Sequence, residues 1–224
     1  MNRFNARFTA LFAVTVFICS TSVFAQSQAS VQTPEAVPNL WEQYVLGVGV
    51  PQTPHALFAE LYPVIIASGG FAANVGYETG HWQIGATYLT VPLSDGFRDW
   101  FLADASGVDV SNNTAAEIMV SYFIRPDRQG FYAGFIGGPD WYRVRDRATG
   151  AEETLVRVYV VPRVGLRWFP FQPYFYVDTA FGASFNLSGS ETRTLGAAHY
   201  SARPILALPF IQVGVSIPLS TSSQ

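Results

Sequence analysis

The chain has 224 residues with 13 basic and 16 acidic side chains, a formal charge of −3, and a single cysteine, which excludes a disulfide framework and a basic face for nucleic acid. Charged residues make up only 13% while aromatics reach 15%, a balance that suits a wall facing lipid better than a soluble secreted domain. Every basic residue is Arg.

At the start, Arg3 and Arg7 lead into the apolar run Phe8 to Phe17 and then Cys19-Ser20-Thr21-Ser22-Val23-Phe24-Ala25. Charge, apolar stretch and small-residue site in that order read as a secretory leader, residues 1–25, cleaved after Ala25. The run is well short of the roughly 20 residues that a membrane-crossing helix needs. A lipid-anchored form would require cleavage before Cys19, where Ile18 is too bulky. Loss of the leader leaves 199 residues, without cysteine, carrying 11 basic and 16 acidic side chains for a formal charge of −5. That length is one domain for an all-β barrel.

Residues 26–55 form the expected flexible periplasmic arm, rich at first in Ser, Gln, Pro and Ala without helical or strand period. Tyr44 to Val50 is a further short strand candidate. From Leu57 onward the period is two, and no window gives an amphipathic helix of 12 or more residues. Strands are expected near 57–66, 70–78, 81–91, 115–125, 130–146, 153–168, 173–187 and 202–219. The clearest sets Val156, Val158, Val160, Pro162, Val164, Leu166 and Trp168 against Arg157, Tyr159, Val161, Arg163, Gly165 and Arg167. In the fifth, the apolar face changes parity across Gly137-Gly138-Pro139-Asp140, which predicts a bulge. Connections alternate: those after even strands are tight, at 78–81, 125–130 and 169–173, and those after odd strands include 92–114, 147–152 and 188–201, with only 67–69 short on that side. With both termini beside the tight turns, this is the polarity of an outer-membrane barrel with short periplasmic turns and long external loops. The expectation is all-β: one closed antiparallel up-and-down transmembrane β-barrel over 56–219, with a polar tail at 220–224.

Alternation alone does not say which face points outward, and a soluble periplasmic ligand-binding barrel shares it. Two observations favour apolar-out. The polar face mixes Glu60, Glu78, Glu117, Arg157, Arg163, Arg167 and Asp178 with several glycines, which suits a narrow lumen filled by paired charges. On the apolar face Tyr77, Trp82, Tyr122, Phe131, Trp168 and Phe175 all lie near the tight turns, where amphipathic rings fit a headgroup boundary.

The patterns Gly69-Gly70-Phe71 through Tyr77-Glu78, Gly130-Phe131-Tyr132-Ala133-Gly134 and Pro162-Arg163-Val164-Gly165-Leu166-Arg167 resemble the small outer-membrane β-barrels of the OmpA, OmpX and OmpW type, over about Leu57 to Leu219. One departure is that the chain runs past Leu219 into Ser220 to Gln224, where such barrels usually end on an aromatic residue. The resemblance implies location in the cell outer membrane, contact with its lipid and lipopolysaccharide, delivery by periplasmic chaperones and the barrel-assembly machinery, and an OmpW-like carriage of small hydrophobic molecules as an alternative activity.

Eight strands enclose a space that side chains just fill, which argues against a general porin. Arg157, Arg163 and Arg167 are expected to pair with Glu117 and Asp178 from neighbouring strands. The function expected is therefore a non-enzymatic surface protein with a plugged lumen, holding a surface ligand through its loops, with Arg98, Trp100 and Phe101 as contact residues. His199-Tyr200-Ser201 resembles the His-x-Ser of lipid A deacylases, but Ala202 replaces their Asn and no acid follows Glu191, so no catalytic set is assigned. No cofactor is expected. The isolated His55, His81 and His199 make no metal spacing, and the Asp95, Asp99, Asp104, Asp109 run reads as solvated loop charge.

Overall fold

The computed structural model describes residues 42–47, 55–93, 95–105, 107–171 and 174–219. The expected leader and polar tail lie outside them. Within the expected arm, Glu42–Leu46 forms one π-type helical turn, so the strand candidate is helical over 44–46, while its residues 48–50 lie outside the described residues.

Eight antiparallel strands close into a ring: β1 Ala56–Leu61, β2 Phe71–Thr79, β3 Trp82–Pro92, β5 Val108–Phe123, β6 Gly130–Asp146, β7 Glu152–Phe171, β8 Phe175–Ser188 and β11 Ile205–Pro218. Chain neighbours pair throughout, and the ring closes where β1 meets β11, with Ala56 opposite Pro218 and Leu61 opposite Val213. Two short helices, α1 Pro63–Ala67 and α2 Asp95–Phe101, occupy long connections. The remaining strands, β4 Leu102–Asp104, β9 Arg193–Leu195 and β10 Ala198–Ala202, form a small separate sheet in the order β4-β10-β9.

Four sequence expectations are corrected. The first strand stops at Leu61 rather than at 66, because Pro63 takes the first helical position of α1, where its missing N–H costs nothing. The last strand begins at Ile205 rather than at 202. The connections at 92–114 and 188–201 are not plain loops: the first holds α2, β4 and the upper part of β5, the second β9 and β10. Finally, the bulge expected at Gly137-Gly138-Pro139-Asp140 is absent. Ala115 faces Asp140 and Ile118 faces Gly137 in one unbroken register, and the shift lies on β5, between Val110 and Asn112.

The parity change on β6 has another cause. Its even residues point inward from end to end, as the burial of Tyr132, Ile136, Asp140, Tyr142 and Val144 shows. What changes is the setting. Around the lower ring, which ends in the tight turns, the outward residues are apolar and exposed: Ile84, Ile118, Phe135 and Val164, the last 63% exposed. Above Trp141 on β6 and Val156 on β7 the outward residues become polar: Arg143, Arg145, Thr154 and Glu152. There the inward residues Val108, Val110, Tyr142, Val144 and Leu155 pack with Leu102, Leu195, Ala198, Tyr200 and Ala202 of the small sheet into a hydrophobic cluster. The chain thus builds a belt, apolar outside and polar within, topped by a collar with the opposite arrangement. At about 3.3 Å per residue and a tilt of about 40°, Phe131 to Trp141 rises about 25 Å.

The collar is fastened by Asp146 at the end of β6. Its carboxylate accepts hydrogen bonds from Thr149 Oγ1 at 2.6 Å, Ala148 N at 3.0 Å and Ala197 N at 3.1 Å, tying the β6–β7 turn to the β9–β10 turn. Gly196 makes that approach feasible: its φ is +60°, and a Cβ there would stand 2.0 Å from Asp146 Oδ2.

Candidate functional site: the charge network inside the barrel

All seven charges picked out from the sequence point into the ring and are buried. They are not one network.

The lower group is centred on Arg167 of β7, 1% exposed. Its Nη1 donates to Glu78 Oε1 at 2.7 Å, its Nη2 to Glu60 Oε1 at 3.1 Å and to Gln83 Oε1 at 2.8 Å, and its Nε to Asp178 Oδ2 at 3.2 Å. The guanidinium also lies over the rings of Tyr176 at 3.9 Å and Phe123 at 4.5 Å. The carboxylates are satisfied from other sides too. Tyr176 and Asn74 donate to Glu60, Ser216 to Glu78 and Tyr132 to Asp178, at 2.6 to 2.8 Å. Three carboxylates around one guanidinium would be badly unbalanced without further cations. Arg128, from the β5–β6 turn, brings its Nε to 3.4 Å from Glu78 and its Nη1 to 3.1 Å from the Gly80 carbonyl. It is 1% exposed and holds a φ of +56°, a left-handed conformation unusual for Arg and retained where the surroundings enforce it.

Arg163, one rung higher, departs from the expected pairing. Among the described residues it has no carboxylate within ion-pairing distance; its Nη2 donates to Ser121 Oγ at 3.1 Å and its Nη1 to Gln212 Oε1 at 3.4 Å, with the Tyr132 ring beside it. Higher still, Arg157 grips Asp140 with Nε at 3.1 Å and Nη2 at 2.5 Å. Glu117, expected to pair with these arginines, instead accepts a hydrogen bond from the Tyr159 hydroxyl. Of the expected pairs, Arg167 with Asp178 forms; Arg157 and Arg163 take other partners.

Sequence reasoning missed Asp140, Arg128, Gln83, Asn74 and the inward tyrosines. The glycines on the same face were a signal for the tyrosines: added Cβ atoms at Gly165 and Gly214 would sit 2.4 and 2.5 Å from the rings of Tyr132 and Tyr176. Gly76 and Gly85, opposite each other on β2 and β3, likewise clear the Phe58 ring. The polar face therefore carries rings laid over glycines, leaving the lumen occupied by side chains. Leu208 and Phe210 pack against Phe58, Met119, Ile136, Tyr159 and Val161.

On the outside, Tyr77, Trp82, Tyr122 and Phe131 are exposed near the tight turns, and Trp168 and Phe175 are half-buried there. Trp82 meets Tyr122 edge-on at 4.9 Å, and His55 and His81 stack on Tyr77 and Tyr122. Phe171 and Tyr174, exposed at the same end, belong with them. In the collar, Arg98 bonds Asp99, and Asp109 accepts from Arg147 at 2.6 Å, so these charges are taken up within the loops. His199 Nδ1 lies 3.0 Å from the Thr194 hydroxyl, while Tyr200 between His199 and Ser201 turns inward to Glu153.

The class these features define is a closed eight-stranded antiparallel barrel with a charged interior and an apolar outer belt. No family model and no curated protein matches the chain. Among solved structures it is similar to the crystal structure of Neisserial surface protein A (NspA), at 12% identity over 74% of this chain and 94% of that one, with a TM-score of 0.35. So distant a likeness adds nothing to what the strands establish.

Proposed function

We propose that the chain is an integral protein of the bacterial outer membrane, delivered there after export by the leader at residues 1–25. Its barrel is plugged and non-enzymatic, and its collar presents the external loops. The observation that carries this reading is the inverted burial of the belt. Arginines 157, 163 and 167 are nearly inaccessible, while Val156, Val158 and Val164 on the same strand stand exposed. In water such a wall would put its apolar surface outside at about 25 cal/mol per Å² and bury charges as well, and both terms oppose folding. In lipid the same arrangement is favourable, and ring closure pairs the strand edges of the belt. The soluble ligand-binding alternative requires the opposite faces.

The test is heat-modifiability of the membrane-extracted protein on a gel: the folded band migrates differently from the boiled one, and unchanged mobility would refute a membrane barrel. Planar-bilayer recording tests the plug. The expected trace lacks a stable large conductance, because Arg167, Arg157 and their partners span the interior.

A further inference from the structure

The rim where belt gives way to collar carries one arginine that the internal pairing leaves aside. Along the outward face of β6 run Pro139, Trp141, Arg143 and Arg145. Arg145 faces Glu152 at 3.9 Å, Arg147 binds Asp109, and Arg98 bonds Asp99. Arg143 is exposed, and among the described residues no carboxylate lies within ion-pairing distance of it. Its register neighbours are uncharged: Asn112 on β5 and Thr154 on β7. From Asn112 the row continues through Thr114 to Thr90 on β3, joined by side-chain hydrogen bonds of 3.0 to 3.5 Å. A strip of hydroxyls and one amide thus crosses four neighbouring strands with a single cation in it.

Height gives the strip its meaning. Arg143 and Thr154 stand one step above Trp141 and Val156, and Thr114 is level with Trp141, where the apolar wall ends; on the membrane reading this is the level of the headgroups. A guanidinium there takes two phosphate oxygens through parallel N–H donors, while the neighbouring hydroxyls and amide meet the remaining polar atoms.

We propose that this strip docks the phosphate of an anionic lipid of the outward-facing leaflet. A lipid is favoured over free phosphate because one exposed arginine holds a free ion weakly, whereas acyl chains lying along Trp141, Val156 and Ile118 add apolar burial to the ionic contact. The proposal rests on the membrane reading given above.

The test uses the full chain refolded in detergent micelles, with diphosphorylated lipid A or its dephosphorylated form added and bound lipid counted by native mass spectrometry. Wild type retains diphosphorylated lipid A about fivefold to tenfold better than the dephosphorylated form, and Arg143→Gln removes that preference. Arg143→Lys keeps part of it, since the charge stays while the fork is lost. Arg203→Gln, at an exposed arginine bonded to the Asp99 carbonyl, leaves it intact. Equal retention by Arg143→Gln and wild type overturns the proposal, as does equal retention of the two lipids. Displacement by excess inorganic phosphate would show a free-anion site and overturn the lipid. Each variant is first checked for the boiling-dependent gel shift. A wild type lacking the shift sinks the membrane reading, whereas a shifting protein without lipid preference sinks the lipid site alone.

Discussion

Belt and collar are built from the same strands, with opposite faces turned outward. On β6, Phe131, Phe135 and Trp141 face outward in the belt, and two residues further up the same face is Arg143 and then Arg145. The inward face changes in the opposite sense, from Asp140 to Tyr142 and Val144. A strand carries a two-residue period but no fixed sign: apolar side chains line the outer face in the belt and the inner face beneath the small sheet. The two regions should therefore respond oppositely to the same kind of substitution.

The largest effect is expected inside the belt. Arg167→Leu strips Glu60, Glu78 and Asp178 of their shared cation and should cost about 3–5 kcal/mol, read from urea unfolding of the vesicle-inserted protein. Arg145→Ala in the collar, whose partner lies 3.9 Å away with both side chains more than half exposed, should cost less than about 1 kcal/mol. Next comes the outer wall: Val164→Arg should cost about 2–4 kcal/mol in the same assay, while Thr154→Arg, outward on the same strand but in the collar, stays within about 0.5 kcal/mol. Equal losses at the two positions would erase the distinction between belt and collar. Leu155→Ala empties part of the collar core and should cost about 2–3 kcal/mol locally, detected as protease cleavage in the loops while the gel shift of the barrel persists.

The smallest effect concerns acid. Hydrogen bonds from the Thr149 hydroxyl and the Ala148 and Ala197 amides hold the Asp146 carboxyl below the ordinary aspartate value of 3.8. The stability it lends is complete above that value and is lost as pH falls through the depressed one. The Ala148 and Ala197 amide resonances should therefore move together only in strong acid, and Asp146→Asn should flatten that transition.

Strand number, closure and the inward placement of the charges were legible because alternation is a local signal, repeated eight times. Partner choice was not, because it depends on register between strands. Arg157 meets Asp140, its directly opposed residue on β6, and Asp140 had been assigned to a bulge. That assignment failed for an instructive reason. A change of phase in the apolar pattern arises either from an inserted residue, as between Val110 and Asn112, or from a change of surroundings, as above Trp141, and one sequence cannot separate the two. The β5 insertion also hid Val108 and Val110, whose phase disagrees with the strand below, so they read as loop. Arg128 gave no signal at all: in sequence it belongs to a polar turn, and its descent into the lumen depends on a left-handed backbone at that one residue.

The Arg167 cluster also bears on how the ring is assembled. Its members stand far apart along the chain, with Arg167 separated by 107 residues from Glu60 and by 89 from Glu78, and Ser216 by 138 from Glu78. Glu60 and Glu78 are contributed by the first two strands, which lie next to each other but on the far side of the closing seam from the strands made last. A wall still open at the β1–β11 seam keeps Glu60 and Glu78 apart from Arg167, so that of the two only Glu78 has a cation, Arg128 of the β5–β6 turn. Sealing the seam and completing the Arg167 cluster therefore belong to one event, which ties the pairing of charges inside to the closure of the ring.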